Sequence, residues 1–239
     1  MPYALLSILV LTATPSAETV LKKVDAATNQ ARDAVMTLEV SVSMKGSDPL
    51  KRTLKIWQLG VDKRMVKFLA PSRLRGTGIL VSGKGQTHLY LPAYKRVRRV
   101  VGKQGSGSFM GMGFSINDLA RVQFSNDYVP EHKGQTPAEI LLKLTPKNPG
   151  AHKHASLRLH VRKSDYLVTR IVALDKSGAI IRTIVADQFK VVGKYTLAHR
   201  IRIDEVSNGK QTIARLLKTG FDQGLSERHF TERQLKRAP

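Results

Sequence analysis

His152 and His154 flank Lys153, and this alternate spacing at a strand end could aim two imidazoles at one metal ion. A stable site needs further ligands, yet no carboxylate or third histidine lies nearby in the sequence. In a lysine-bearing loop behind Pro149 and Gly150 the pair is read as solvated surface, and neither metal nor cofactor is expected. The glycines at 102, 105, 107, 111 and 113 fit neither the phosphate-binding P-loop nor the dinucleotide fingerprint. Ser106 and Ser108 lack the flanking glycine spacing of a nucleophile elbow. Asp118 stands at the start of a short helix, where a carboxylate stabilises the helix end without any catalytic role. No catalysed reaction is expected.

What remains is charge and apolar surface. Lys and Arg total 40 against 18 for Asp and Glu, a net charge of +22 over 239 residues, which favours phosphates, carboxylates or anionic head groups as partners. The densest basic cluster is Lys95-Arg96-Val97-Arg98-Arg99; on a strand, Arg96 and Arg98 would share one face and Val97 and Arg99 the other. Arg158, His160, Arg162, His199, Arg200 and Arg202 form a second series on later strands. That series is either a solvated outer sheet face or a surface meeting anionic lipid or an acidic partner. Nucleic acid is not expected, because the basic residues are dispersed, stacking aromatics are few and no recognition motif appears. The chain has no cysteine, which removes disulfides, thiolate metal sites and cysteine catalysis.

The elements that must position these residues are mostly strands. Val20, Leu21, Val24, Ala27 and Ala31 fall at helical spacing, so a helix is expected over 19–34, capped by Ser16 or Thr19. From Met36 the period changes to two and recurs along the chain, with about ten or eleven runs separated by short turns such as Lys176-Ser177-Gly178 and Asn208-Gly209. This is the signature of one mainly β domain, an antiparallel meander. The exception is 102–122, where a glycine-rich stretch carrying Phe109, Met110, Met112 and Phe114 passes into a short helix at Ile116 capped by Ser115 or Asn117. Glycine with Met and Phe suits a mobile lid over an apolar cavity; the plain alternative is a long loop tucked into the core.

Residues 1–17 have the layout of a signal peptide: the apolar run Tyr3 to Ala13, a small-residue stretch, and a cut after Ala17. The alternative is a buried N-terminal strand or helix. With residues 18–239 as the mature domain, the protein is expected in the periplasm.

The ordered segments Phe68-Leu69-Ala70-Pro71, Gly76-Thr77-Gly78-Ile79-Leu80, Leu89-Tyr90-Leu91-Pro92-Ala93, Arg96-Val97-Arg98-Arg99, Ser108-Phe109-Met110-Gly111 and Phe114-Ser115-Ile116-Asn117-Asp118-Leu119 resemble the LolA-like outer membrane lipoprotein-sorting proteins, in their uncharacterised periplasmic branch. The resemblance covers roughly residues 65 to 122, and Phe230, Thr231 and Leu235 extend it. It implies an unclosed antiparallel β-barrel wrapped around an N-terminal helix and a short lid helix, with an apolar cavity on the concave side. It also implies a carrier of lipoprotein or lipid acyl chains, working with a membrane protein of an envelope transport system. A related alternative is a sensor that binds lipid or lipoprotein and signals to a membrane partner. On this reading Trp57, Phe68, Leu80, Tyr90, Phe109, Met110, Met112 and Phe114 are the expected cavity and lid residues. Arg96, Arg98 and Arg99 would meet the head group, an anionic membrane surface or an acidic docking partner.

Overall fold

The structure is a computed structural model that describes residues 15–239 apart from 45, 84–85 and 121–122. The apolar run of the expected signal peptide lies outside the described residues.

Helix α1 (Ala17–Thr28) starts where Ser16 accepts a hydrogen bond from the Thr19 amide, 3.2 Å long. It ends six residues before the position expected from periodicity, because residue 33 is already committed to a strand. The buried Asp33 carboxylate accepts from the amides of Gln223, Gly224 and Leu225, which fastens the chain there in extended form. Six strands follow: β1 (Asp33–Ser43), β2 (Leu50–Leu59), β3 (Lys63–Ala70), β4 (Gly78–Ser82), β5 (Thr87–Leu91) and β6 (Arg96–Val100). After a crossing segment with helix α2 (Ile116–Ala120) come β7 (Tyr128–Gln135), β8 (Glu139–Pro146), β9 (Ser156–Arg162), β10 (Val168–Leu174), β11 (Ile180–Val192), β12 (Tyr195–Glu205) and β13 (Lys210–Phe221). Helix α3 (Glu232–Lys236) closes the chain.

The thirteen strands of the described residues make one antiparallel sheet ordered β6-β5-β4-β3-β2-β1-β13-β12-β11-β10-β9-β8-β7. The mainly β, unclosed-barrel expectation holds, with thirteen strands where ten or eleven were expected. The two additions, β6 and β7, are the sheet's edges. Pro130 sits in β7, where a missing ladder donor is tolerated only because the strand is an edge.

This order has a consequence for function. The chain leaves one edge at β6 and re-enters at the other edge with β7, so the described residues between Val100 and Tyr128 cross the sheet. They cross it on the side that also carries α1. Cross-strand partners share a face, and the row Ile56, Met36, Thr219 and the row Ile203, Ile184, Ile171, Leu159, Leu142 both belong to it. On this inner face, Ala17, Val20, Leu21 and Val24 of α1 pack on Ile140, Leu142, Leu144, Leu157, Leu159 and Val161. The crossing segment packs Phe109, Met112, Ile116 and Leu119 on Val40, Leu54, Val66, Phe68 and Ile79. Each fully buried side chain of this kind contributes about 1.5–3 kcal/mol.

Among the described residues the opposite face is covered only locally, where Phe230 and Leu235 of α3 and its approach lie against Met65 and Leu80. A β-carbon at Gly78 would lie 2.8 Å from Leu235 Cδ1, so glycine there is what lets α3 approach. Lys67, on the same face, is buried and donates to the carbonyls of Gln234 (2.6 Å) and Arg237 (2.8 Å) at the helix end. Burial, and then the charge of Arg237, hold its pKa below the usual lysine value. Lys67→Met is expected to free the last turn, costing about 1–2 kcal/mol. Faster amide exchange over 232–237 would be its signature, and unchanged exchange would contradict it.

Candidate functional site

The glycine-rich crossing segment is docked into the fold. Residues 108–115 form a closed loop: the Phe109 amide donates to the Phe114 carbonyl (2.7 Å) and the Gly113 amide to Ser108 Oγ (2.9 Å). Gly113 has φ +71°, and a β-carbon there would come 2.8 Å from Thr212 Oγ1. Glycine thus serves close packing here. Ser115 caps α2: its Oγ accepts from the Asp118 amide, and Asp118 Oδ2 accepts from the Ser115 amide.

Asp118 does more than stabilise a helix end. Arg182 on β11 donates through Nη1 to Asp118 Oδ2 (2.7 Å), through Nη2 to Oδ1 (3.2 Å) and through Nη1 to the Gly113 carbonyl (3.1 Å). Both side chains are largely buried, 17% and 11% exposed. Burial alone would lower the arginine's pKa; the charge and hydrogen bond of Asp118 outweigh it and the pKa is raised. This bidentate pair ties the crossing segment to the middle of the sheet. Sequence reasoning reached Asp118 but not Arg182, whose partner lies 64 positions away.

The expected cavity residues divide between the two faces. Phe68, Phe109 and Met112 are buried on the inner face, with Met110 and Phe114 packed against them. Trp57, Leu80 and Tyr90 lie on the opposite face with α3. Strand alternation requires the split: Leu80 follows inner Ile79, Tyr90 follows inner Leu89, and Trp57 follows inner Ile56. The structure therefore brings together five of the eight, as packed core.

An apolar cavity does exist elsewhere on the inner face. The clusters under α1 and under the crossing segment do not meet, and between them lies a cavity of ≈ 290 Å³. Ile171, Ile184, Ala186, Leu197 and Ile201 form its floor, with Phe124 and Ala27 at its side. Its volume equals that of about ten water molecules in the liquid, room for part of one acyl chain. None of the eight expected residues lines it. The apolar alternation of β11 and β12 was visible in the sequence, but not that no element of the described residues covers it.

A second, polar cavity of ≈ 460 Å³ lies between the crossing segment and residues 152–154, lined by Ser106, Ser108, Lys153, Arg182 and Asn208 among others. Here one expectation is corrected. His154 is buried, its ring stacked on Tyr128 and its Nε2 2.9 Å from the tyrosine hydroxyl. His152 packs beside it, with ring centroids 5.0 Å apart. The pair is part of a polar core, which the loop composition did not reveal.

The basic residues also sort themselves. Arg200 makes a bidentate pair with Asp187, both contacts 2.7 Å. Arg202 pairs with Asp204, and Arg162 pairs with Asp165 and covers the Phe189 ring. The later series is thus largely a self-neutralised sheet face. Arg96, Arg98 and Arg99 are exposed on edge strand β6 and pair with no described carboxylate. Register puts Arg96 and Arg98 on the inner face, opposite Leu91 and Leu89, and Arg99 on the outer face opposite His88.

A family model described as "Uncharacterized protein" matches residues 60–237. Among solved structures, a domain named for outer membrane lipoprotein sorting from Vibrio parahaemolyticus is 24% identical, with a TM-score of 0.83, covering 92% of this chain and 98% of that one. A DUF1329 family protein from Desulfovibrio piger is 20% identical, TM-score 0.82, covering 93% and 100%. A LolA superfamily protein from Nitrosomonas europaea is 17% identical, TM-score 0.78, covering 92% and 100%. No curated protein sequence matches. The chain belongs to the family of uncharacterized proteins matched over residues 60–237, and its fold is that of the LolA-like outer membrane lipoprotein-sorting proteins.

Proposed function

We propose that the protein is a periplasmic carrier that holds acyl chains of a lipoprotein or lipid on its inner face and moves them towards the outer membrane. The carrying observation is the apolar cavity floored by Ile171, Ile184 and Ile201, on a face otherwise closed by α1 and the crossing segment. Each methylene shielded there contributes about 0.8 kcal/mol. The reading involves export through the 1–17 segment and no catalysed reaction. Among the described residues no helix is long and apolar enough to cross a membrane.

In this reading Phe109, Met110, Met112 and Phe114 are the lid, closed in this structure, and Phe68 is its seat. Arg96, Arg98 and Arg99 offer the surface for an anionic head group, a membrane surface or an acidic partner. That strip also favours a second reading, a sensor that signals to a membrane protein, because unpaired cations on an open edge strand suit a protein partner.

Ile184→Asp and Ile201→Asp are each expected to lower retention of a dodecyl-chain fluorescent probe more than about tenfold. Val191→Asp, at a position 70% exposed, is expected to leave it unchanged. Equal retention by all three variants would remove the cavity from the account.

A further inference from the structure

Arg52, at the start of β2, is 6% exposed, a place where an arginine is ordinarily paired. Its one described hydrogen bond is a long one, 3.4 Å from Nη1 to the Leu50 carbonyl, and its Nε has no partner. No described carboxylate pairs with it. The exposed Arg73 is a neighbouring cation; burial first, and then this neighbour, lower the pKa of Arg52. A buried guanidinium beside a like charge is costly unless an anion completes it.

The surroundings suggest which anion. Arg52 alternates with Leu54 and Ile56, so it sits on the inner face. The tip of the closed loop lies over it: a β-carbon at Gly111 would be 3.7 Å from Arg52 Nη2. Ladder register then runs in one straight row from Arg52 to Val40, from Val40 to Ala214, from Ala214 to Ile201 and from Ile201 to Ala186. The last two line the apolar cavity. Three strand spacings, about 14 Å, separate Arg52 from Ile201, with Val40 and the small Ala214 between, both buried under the crossing segment. A buried cation at one end of a row and an apolar cavity at the other match an amphiphile with an anionic head.

We propose that Arg52, with Arg73, forms a binding site for the phosphate of an acylated lipid, covered by the loop tip at Gly111 when empty. This rests on the carrier reading, and it adds the head-group class: a phosphate, which a guanidinium binds through two parallel hydrogen bonds. With the crossing segment lifted from Val40 and Ala214, the acyl chain would follow the Arg52–Val40–Ala214–Ile201 row to the cavity.

The test is a competition read by native mass spectrometry, with phosphatidic acid and diacylglycerol carrying identical chains. The protein is expected to retain phosphatidic acid at least roughly tenfold better. Arg52→Gln should abolish that preference with diacylglycerol retention intact, while Lys176→Gln in an exposed hairpin turn should keep it. No preference in the parent protein, or a preference surviving in Arg52→Gln, overturns the site. If Arg52→Gln does not fold, Arg52→Lys replaces it: a several-fold drop in preference supports the site and an unchanged preference overturns it. If neither lipid binds, the carrier reading fails and inorganic phosphate decides the site alone. A rise in melting temperature with phosphate that is lost in the Arg52 variant then supports a free-anion site, and no such rise overturns it.

Discussion

Asp118→Ala is expected to cost about 3–5 kcal/mol of stability and to release the crossing segment. The size follows from what is left behind. Arg182 would keep its buried position and its 3.1 Å contact with the Gly113 carbonyl but lose both contacts to carboxylate oxygens. Ser115 would lose the acceptor of its amide and hydroxyl, 2.9 and 2.8 Å away, so the reciprocal half of the α2 cap would go while the residue-118 amide still donates to Ser115 Oγ. Asp118→Asn should cost less, since an amide oxygen still accepts. The double variant Asp118→Leu with Arg182→Met should recover much of the loss, because it removes both charges from the interior. Urea denaturation gives the energies, and limited proteolysis over 105–118 reports the released segment. A single-variant loss below about 0.5 kcal/mol would mean the pair behaves as a surface ion pair and does not latch the segment.

Phe68→Ala is expected to cost about 3–5 kcal/mol, through a different mechanism. Its side chain is fully buried and meets Phe109 edge-on, with ring centroids 5.8 Å apart and planes at 67°. Truncation leaves a cavity lined by Leu54 and the loop, and the loop loses its main apolar seat. Trp57→Ala, on the α3 face and only partly buried, should cost less despite removing a larger ring. Calorimetric melting of the two variants orders them; a larger loss for Trp57→Ala would show that α3, not the crossing segment, dominates the packing of this half of the sheet.

Much of this architecture could be read from the residues because period-two alternation survives wherever a strand buries one face. It did so for β1, β2, β8, β9 and β12. It failed at the edges: β7 carries Pro130 and Gly134 and buries only Tyr128 fully, so its alternation is faint. Helix α1 was found but overrun, because Ala31 and Ala34 fit a helical period while the carboxylate of Asp33 fixes an extended chain. The site was less legible. Its parts come from strands that register brings together across the whole chain: Arg52 reaches Ile201 only through β1 and β13. Apolar residues on both faces of β2 to β5 look alike in sequence until α3 claims one set and the crossing segment the other. Met110 and Phe114 illustrate the same limit, since a glycine-rich stretch with Met and Phe is equally apt to be a lid or a plug. In this structure the segment is packed on the sheet and held by Arg182.

Whether the inner face holds an acyl chain is decided by native mass spectrometry of the protein recovered from a Gram-negative cell envelope, followed by solvent extraction of whatever is bound. One acylated species per protein chain is expected, lost in Ile201→Asp. A protein that carries nothing, and that cannot be loaded with a dodecyl or longer chain even after Asp118→Ala has freed the crossing segment, would contradict it.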